Sequence, residues 1–427
     1  MKHIFLLCLL CSVSLLSWSQ AKDMSYYLEQ AKANSPLIHT YSNERDLLTL
    51  DLDQLRSVLM KPEISLGANL LFAPVISHDN MLTKLQFVTE DAITYAGYDL
   101  AATDGGQYQA GVSITQPLLN GPVLQSYENK NEISKKITSN NIKLSIHELE
   151  QLVAYQYLLC IKSGKEAEYY LDLADLLADQ IDILNTLVES SIYSQADLLL
   201  LGLELDNMNA SYYASISDYR TGLYDLNLIC GIEDTAMVEL DAVQLEISWP
   251  DSERSAFAMS YKLDSLSLIA EREIFNQKYR AQISLFLNAG LNAVYLPSFN
   301  RIGFSTGLSL SWILFDGHQR DIQEQKTVIE LNSLEFEKRN VMLKADLQRK
   351  KILQQIKALK IQEKLVQEQI EKYTLLAESY QKSLQLGTVS IMDLKNIVKD
   401  MSAKKQELLR FEMEKQFLIN SYNYWNF

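Results

Sequence analysis

Apolar and polar side chains alternate in four stretches of this chain and follow a helical period over most of the rest. From Gln282 to Tyr295, Ile283, Leu285, Leu287, Ala289, Leu291, Ala293 and Tyr295 share one face, with Ser284, Asn288, Gly290 and Asn292 on the other. Arg301 to Leu314 repeats the pattern, with Ile302, Phe304, Thr306, Leu308, Leu310, Trp312 and Leu314 set against Gly303, Ser305, Gly307, Ser309 and Ser311. The first half carries a matching pair: Ile64, Leu66, Ala68, Leu70 and Phe72, then Tyr108, Ala110, Val112 and Ile114 opposite Gln107, Gln109, Gly111, Ser113 and Thr115. A period of two predicts β-strands with one apolar and one polar side. The predicted pairs are 62–73 with 107–117 and 282–295 with 301–315, long enough to cross a bilayer when tilted. A polar face of Gly, Ser and Asn suits a barrel with lipid outside and water inside, although a soluble antiparallel sheet with one wet face has the same alternation. Four strands cannot close around a channel, so the membrane reading requires several chains to share one barrel.

After Gly121 and after Gly317 the period becomes helical, predicting long helices over 122–189 and 318–386, each roughly 100 Å at 1.5 Å per residue. Pro122 sits in a favourable first-turn position. Such helices need a partner along their length. From Ile352 the positions Ile356, Leu359, Glu363, Val366, Ile370, Tyr373, Ala377, Tyr380 and Leu384 recur at spacings of three and four, a heptad seam broken only by Glu363. A return helix over 391–424 carries Leu394, Val398, Met401, Leu408, Phe411, Leu418, Tyr422 and Trp425 at compatible spacings, and 195–230 is its counterpart. A shorter helix precedes each strand pair, at 251–279 in the second half. Residues 74–106 read as a long polar loop and Pro297-Ser298-Phe299-Asn300 as a tight turn.

The two halves repeat one another. Ser113-Ile114-Thr115-Gln116-Pro117-Leu118-Leu119-Asn120-Gly121 aligns with Ser309-Leu310-Ser311-Trp312-Ile313-Leu314-Phe315-Asp316-Gly317, and Ser194-Gln195-Ala196-Asp197-Leu198 with Ser390-Ile391-Met392-Asp393-Leu394. The offset is 196 in both cases, as in a duplicated fold. The repeats are assigned to 22–235 and 236–427. The 427-residue length, which alone would suggest two or three domains, becomes two copies of one unit.

Residues 1–21 read as a signal peptide: Lys2, a short apolar run, then Ser19 and Ala21 in the small-x-small pattern, with the mature chain starting near Lys22. Cys11 is preceded by Leu9-Leu10 where lipidation expects a small residue. Cys160 and Cys230 remain; Cys160, among Leu158, Leu159 and Ile161, reads as a buried small apolar group. A net charge of −15 without a basic patch argues against nucleic-acid binding. The histidines, His3, His39, His78, His147 and His318, have no ligand spacing, so no metal site is expected. No phosphate loop, nucleophile elbow or other catalytic motif is present, so neither an enzyme nor a cofactor is expected. The terminal Tyr422-x-Tyr424-Trp425-x-Phe427 follows a helix and reads as packing.

Taken together, Trp312-Ile313-Leu314-Phe315-Asp316-Gly317 and Leu386-Gly387-Thr388-Val389-Ser390-Ile391-Met392-Asp393-Leu394, set in the duplicated order of helix, two strands and two helices, resemble the TolC-like outer membrane efflux proteins. The resemblance covers essentially the whole mature chain. It implies an α+β membrane protein: a homotrimer whose chains give four strands each to a 12-stranded outer-membrane β-barrel, continued by a long α-helical periplasmic tunnel. It implies a passive exit duct in the outer membrane of a Gram-negative bacterium, partnered by a periplasmic adaptor protein and an inner-membrane transporter. The outer-membrane channel of a type I protein secretion system has the same fold, and a secreted coiled-coil scaffold without a pore is the reading from another class.

The resemblance also places the adaptor-docking tip at Leu386, Gly387, Thr388, Val389 and Ser390 and at Ser191, Ile192, Tyr193 and Ser194. Asp393 stands at the acidic aperture position, with Asn396 one turn on and Asp197 as the counterpart of Asp393. Ser390-x-x-Asp393 and Ser194-x-x-Asp197 equally fit capping boxes that start the return helices. Asn396, Val389 and Leu384 depart from the acidic, arginine and tyrosine residues that some members carry, so the family's gating details do not transfer. Gly387 allows a tight helix break that Ser191 permits less easily.

Overall fold

A computed structural model describes residues 22–79, 82–86, 94–97, 106–248, 255–294, 302–385 and 388–427. In chain order the elements are α1 (Met24–Asn34), α2 (Pro36–Met60), β1 (Glu63–Phe72), β2 (Val75–Asp79), β3 (Leu82–Gln86), β4 (Tyr95–Gly97), β5 (Gly106–Leu118), α3 (Gly121–Glu189), α4 (Gln195–Cys230), α5 (Ala256–Gln277), β6 (Gln282–Val294), β7 (Ile302–Ser311), α6 (Gln319–Gln385) and α7 (Ile391–Trp425). The expected signal peptide lies outside the described residues. The described residues form two compact units, one drawn from the chain up to Ser42 with 140–260 and 336–427, the other from 43–139 and 261–335.

The strand-bearing unit is built on a four-stranded antiparallel sheet in the order β1-β5-β6-β7. Its register puts like chemistry in rows across the sheet. Ser65, Ser113, Asn288 and Ser305 pair in one row, and Gly67, Gly111, Gly290 and Gly303 in another on the same face. Between them, on the opposite face, runs Leu66, Val112, Ala289 and Phe304. A Cβ on Gly290 would lie 2.2 Å from the Ala110 carbonyl oxygen and 2.4 Å from the Gly111 Cα, so β5 and β6 approach at a distance only glycine permits there. Strand β7 is shorter than the predicted 301–315. Gln282, the first residue of β6, already pairs with Ser311, so among the described residues no strand lies opposite Trp312 to Phe315 despite their alternation. Trp312 instead donates its Nε1–H to the Tyr279 carbonyl at 3.1 Å.

Two further expectations are corrected. Residues 74–106 are not simply a loop, because β2 pairs with β3 and β4 in a small three-stranded sheet, which buries Val75 and Ser77. The helix before the first strand pair is broken into α1 and α2 at Ser35 and Pro36. Proline lacks an N–H for a continuing helix and is suited to the first turn of a new one.

The helical unit packs α6 against α7 through the expected seam. Ile352, Ile356, Leu359 and Val366 are buried against Phe411, Ile419 and Tyr422. Glu363, the polar break in the seam, faces Lys415 at 2.6 Å. A second core joins α1, α3 and α4 around Tyr27, Tyr157, Leu158, Cys160, Leu226 and Cys230. Burial pushes both thiols up to about 12, so Cys160 and Cys230 are unreactive small apolar groups. The terminal aromatics pack as expected: the His147 ring stacks on Tyr424 and Phe427 with centroids 5.3 and 3.9 Å away, and donates its Nε2–H to the Tyr424 carbonyl at 3.0 Å.

Candidate functional site

The residues expected to do the work fall in two places, the turns that start α4 and α7 and the polar face of the four-stranded sheet. Both turns lie in the helical unit. At the end of α3 the Ser191 N–H bonds the Val188 carbonyl and the Ile192 N–H bonds the Leu187 carbonyl, both at 2.9 Å. These are the two bonds of a Schellman ending. Its left-handed position is Ser191, at φ 61°, where glycine is the unstrained choice. In the second turn the Thr388 N–H bonds the Ser383 carbonyl at 3.1 Å, the counterpart bond 196 residues on; Leu386 and Gly387 lie outside the described residues.

Chain starts after the turns differ in how they cap. Ser194 forms a complete capping box: the Asp197 N–H donates to Ser194 Oγ at 3.3 Å, and Asp197 Oδ2 accepts from the Ser194 N–H at 3.0 Å and its hydroxyl at 2.7 Å. Ser390 accepts from the Met392 N–H at 3.2 Å without the reciprocal carboxylate bond. Asp393 is exposed and makes no side-chain hydrogen bond or ion pair among the described residues. Asn396 is also exposed. The structure therefore uses Asp197 as a cap and leaves Asp393 open to solvent.

The two turns meet. The Tyr193 hydroxyl donates to the Val389 carbonyl at 2.7 Å, and the two residues are separated by the same 196 positions as the repeat. Burial raises the Tyr193 phenol above its ordinary range, with the bond to Val389 opposing that shift. Lys395 of α7 pairs with Glu204 of α4 at 3.6 Å with both side chains largely buried. Beneath the turns, Leu173, Leu177, Leu184, Leu201, Ile391, Leu394 and Val398 form one apolar cluster. Ile192 and Met392 project outward, exposed. Thr388 and Ser390 are exposed and Val389 half-buried.

In the sheet, polarity is inverted relative to a soluble protein. Leu66, Leu70, Phe304 and Leu308 are 80%, 72%, 81% and 69% exposed. Along the central strand β6, Leu285, Leu287 and Ala289 are exposed, whereas Ser284, Asn288 and Gly290 are less so. The glycine row, with Asn69, Gln109, Ser113, Asn288 and Ser305, lines a single hollow. The polar strand face also carries Phe286, which breaks the alternation and was not singled out from the sequence. Its ring lies over Gly307, where a Cβ would come 2.7 Å from Cζ.

No family model matches the chain, and no curated protein matches it. Solved structures do. The outer-membrane channel OprN superposes with a TM-score of 0.71 at 11% identity, over 94% of this chain and 89% of that one. The outer membrane protein VceC of Vibrio cholerae superposes at 0.70 and 10%, over 93% of this chain and 94% of that one. The MtrE outer membrane channel of Neisseria gonorrhoeae, in its open state, superposes at 0.69 and 10%, over 94% and 88%. At these identities the likeness is one of fold. The chain has the fold of the TolC-like outer-membrane channels over 93–94% of its length, as the sequence resemblance implied.

Proposed function

We propose that this protein is the outer-membrane exit duct of a tripartite efflux system. Three copies each contribute β1, β5, β6 and β7 to a 12-stranded barrel, continued by a helical tunnel into the periplasm. The duct passively conducts small molecules handed on by an inner-membrane transporter and a periplasmic adaptor, and does no chemistry of its own. The observation that carries this reading is the inverted sheet. A face of exposed Leu, Ile and Phe at bilayer height is unsuited to water, and a Gly, Ser and Asn face is unsuited to a dry core. Both are satisfied when the apolar face meets lipid and the other a water-filled lumen. The edge strands β1 and β7 call for the same solution, since open edges do not persist in hydrocarbon and three copies joined edge to edge leave none.

In this assembly Asp393 and Asn396 ring the periplasmic aperture, where a ring of carboxylates favours cations over anions. Asp197 supports that ring by fixing the start of α4. The exposed Ile192, Ser194, Thr388 and Ser390, with Ser191, Tyr193, Val389, Leu386 and Gly387, form the surface that docks the adaptor. Single-channel recording of the detergent-purified protein tests the reading, with mass measurement alongside. A trimeric mass and discrete conductance steps are expected; a monomeric mass with no conductance in any condition would overturn it.

A further inference from the structure

The polar strand face contains one charged and one aromatic side chain among its described residues, and the two stand in the same register row. Glu63 pairs with Thr115, Thr115 with Phe286, and Phe286 with Gly307. All other described positions of that face are Gly, Ser, Thr, Asn, Gln or Pro, or the aliphatic Leu71 and Val294 of the single row at the far end of the strands. Glu63 is exposed and Phe286 half-buried, its ring so close over Gly307 that a Cβ there would lie 2.7 Å from Cζ and push the ring aside. Two strand spacings of about 4.8 Å, roughly 10 Å, separate the backbone positions of Glu63 and Phe286, and the ring extends from there toward Gly307 of β7. An extended organic cation held between them can place its charge on the carboxylate side and its apolar body on the ring side.

Resting on the channel reading, we infer that Glu63 and Phe286 form a recognition ring for organic cations with an apolar body. The carboxylate attracts the charge. The ring offers a π face to an ammonium or pyridinium group and an apolar surface to its substituents, an interaction that is strongest for weakly hydrated quaternary cations. In a trimer the row occurs three times around the lumen, next to Ser and Gly rows that have neither feature. The glycine at 307 has a role in this arrangement too, because any side chain there would displace the ring from the wall.

Block of single-channel current in the full-length protein by benzyltrimethylammonium, with benzenesulfonate as the anionic counterpart of similar size, tests the inference. The cation is expected to block about tenfold more tightly than the anion. Phe286→Leu, which keeps apolar bulk over Gly307 but removes the π face, should weaken cation block by about tenfold, and Phe286→Tyr should restore it. Glu63→Gln should weaken it several-fold and remove its dependence on ionic strength. Equal block by the two ions, or Phe286→Leu indistinguishable from the parent in a conducting channel, would overturn the recognition ring and leave the channel reading intact. Absence of any conductance would overturn both.

Discussion

The two turns of the helical unit come from a duplicated sequence, yet they have solved the same problem differently. The first, ending α3 and starting α4, secures itself with its own backbone and polar side chains: a Schellman ending through Ser191 and a closed box between Ser194 and Asp197. The second secures itself by burial. Ile391 and Leu394 are 1% and 3% exposed in the cluster beneath, whereas their counterparts 196 residues earlier are the exposed Gln195 and the half-buried Leu198. Because hydrophobic insertion already fixes the start of α7, Asp393 is not needed as a reciprocal cap and stays open. Duplication supplied two equivalent carboxylates, and packing divided their roles.

Local hydrogen-exchange protection of the two turns, measured by mass spectrometry on the intact protein, can break this comparison. Ile391→Ala should have the largest effect, opening the second turn by about 2–5 kcal/mol, as deletion of a buried aliphatic side chain does. Gln195→Ala, the matching change in the first turn, should stay within about 0.5 kcal/mol. Equal losses from the pair would contradict the division. Ser194→Ala should cost the first turn about 1 kcal/mol, because it leaves an N–H of α4 without its acceptor. Tyr193→Phe removes the hydrogen bond from the first turn to the Val389 carbonyl and should loosen both turns by about 1 kcal/mol or less; loosening of the first turn alone would mean that the Val389 bond does not couple them. Ser191→Gly should give the smallest change and the opposite sign, a gain of ~0.5 kcal/mol as left-handed strain is relieved against added unfolded-state freedom.

Periodicity made much of this fold legible. The strands, the long helices and the seam from Ile352 to Tyr422 follow from apolar spacing alone, because burial on one face imposes a period that the sequence must keep. What periodicity cannot supply is the partner. Trp312 to Phe315 alternate as a strand does but lie beyond the start of β6, and nothing in their own sequence reports that. The pairing of β2 with β3 and β4 was hidden by polar residues such as Ser77, His78 and Thr83, whose register is set by backbone bonds. At the site, the Ser-x-x-Asp pattern identified both helix starts but could not tell a closed box from an open one, since that depends on the burial of Ile391 rather than on the motif. Phe286 was visible as a break in the alternation of β6, and the only clue to its importance was that break.

The central claim is that the polar strand face meets water and the apolar face meets lipid. Adjacent residues of β7 test it most directly, through the labelling rates of Ser305→Cys and Phe304→Cys proteins by a charged, membrane-impermeant maleimide in native membranes. Cys160 and Cys230 contribute no background because both are buried. The account predicts rapid labelling of the Ser305→Cys protein and labelling at least about tenfold slower for the Phe304→Cys protein, although Phe304 is 81% exposed in the isolated chain. Equal rates, or faster labelling at position 304, would contradict it.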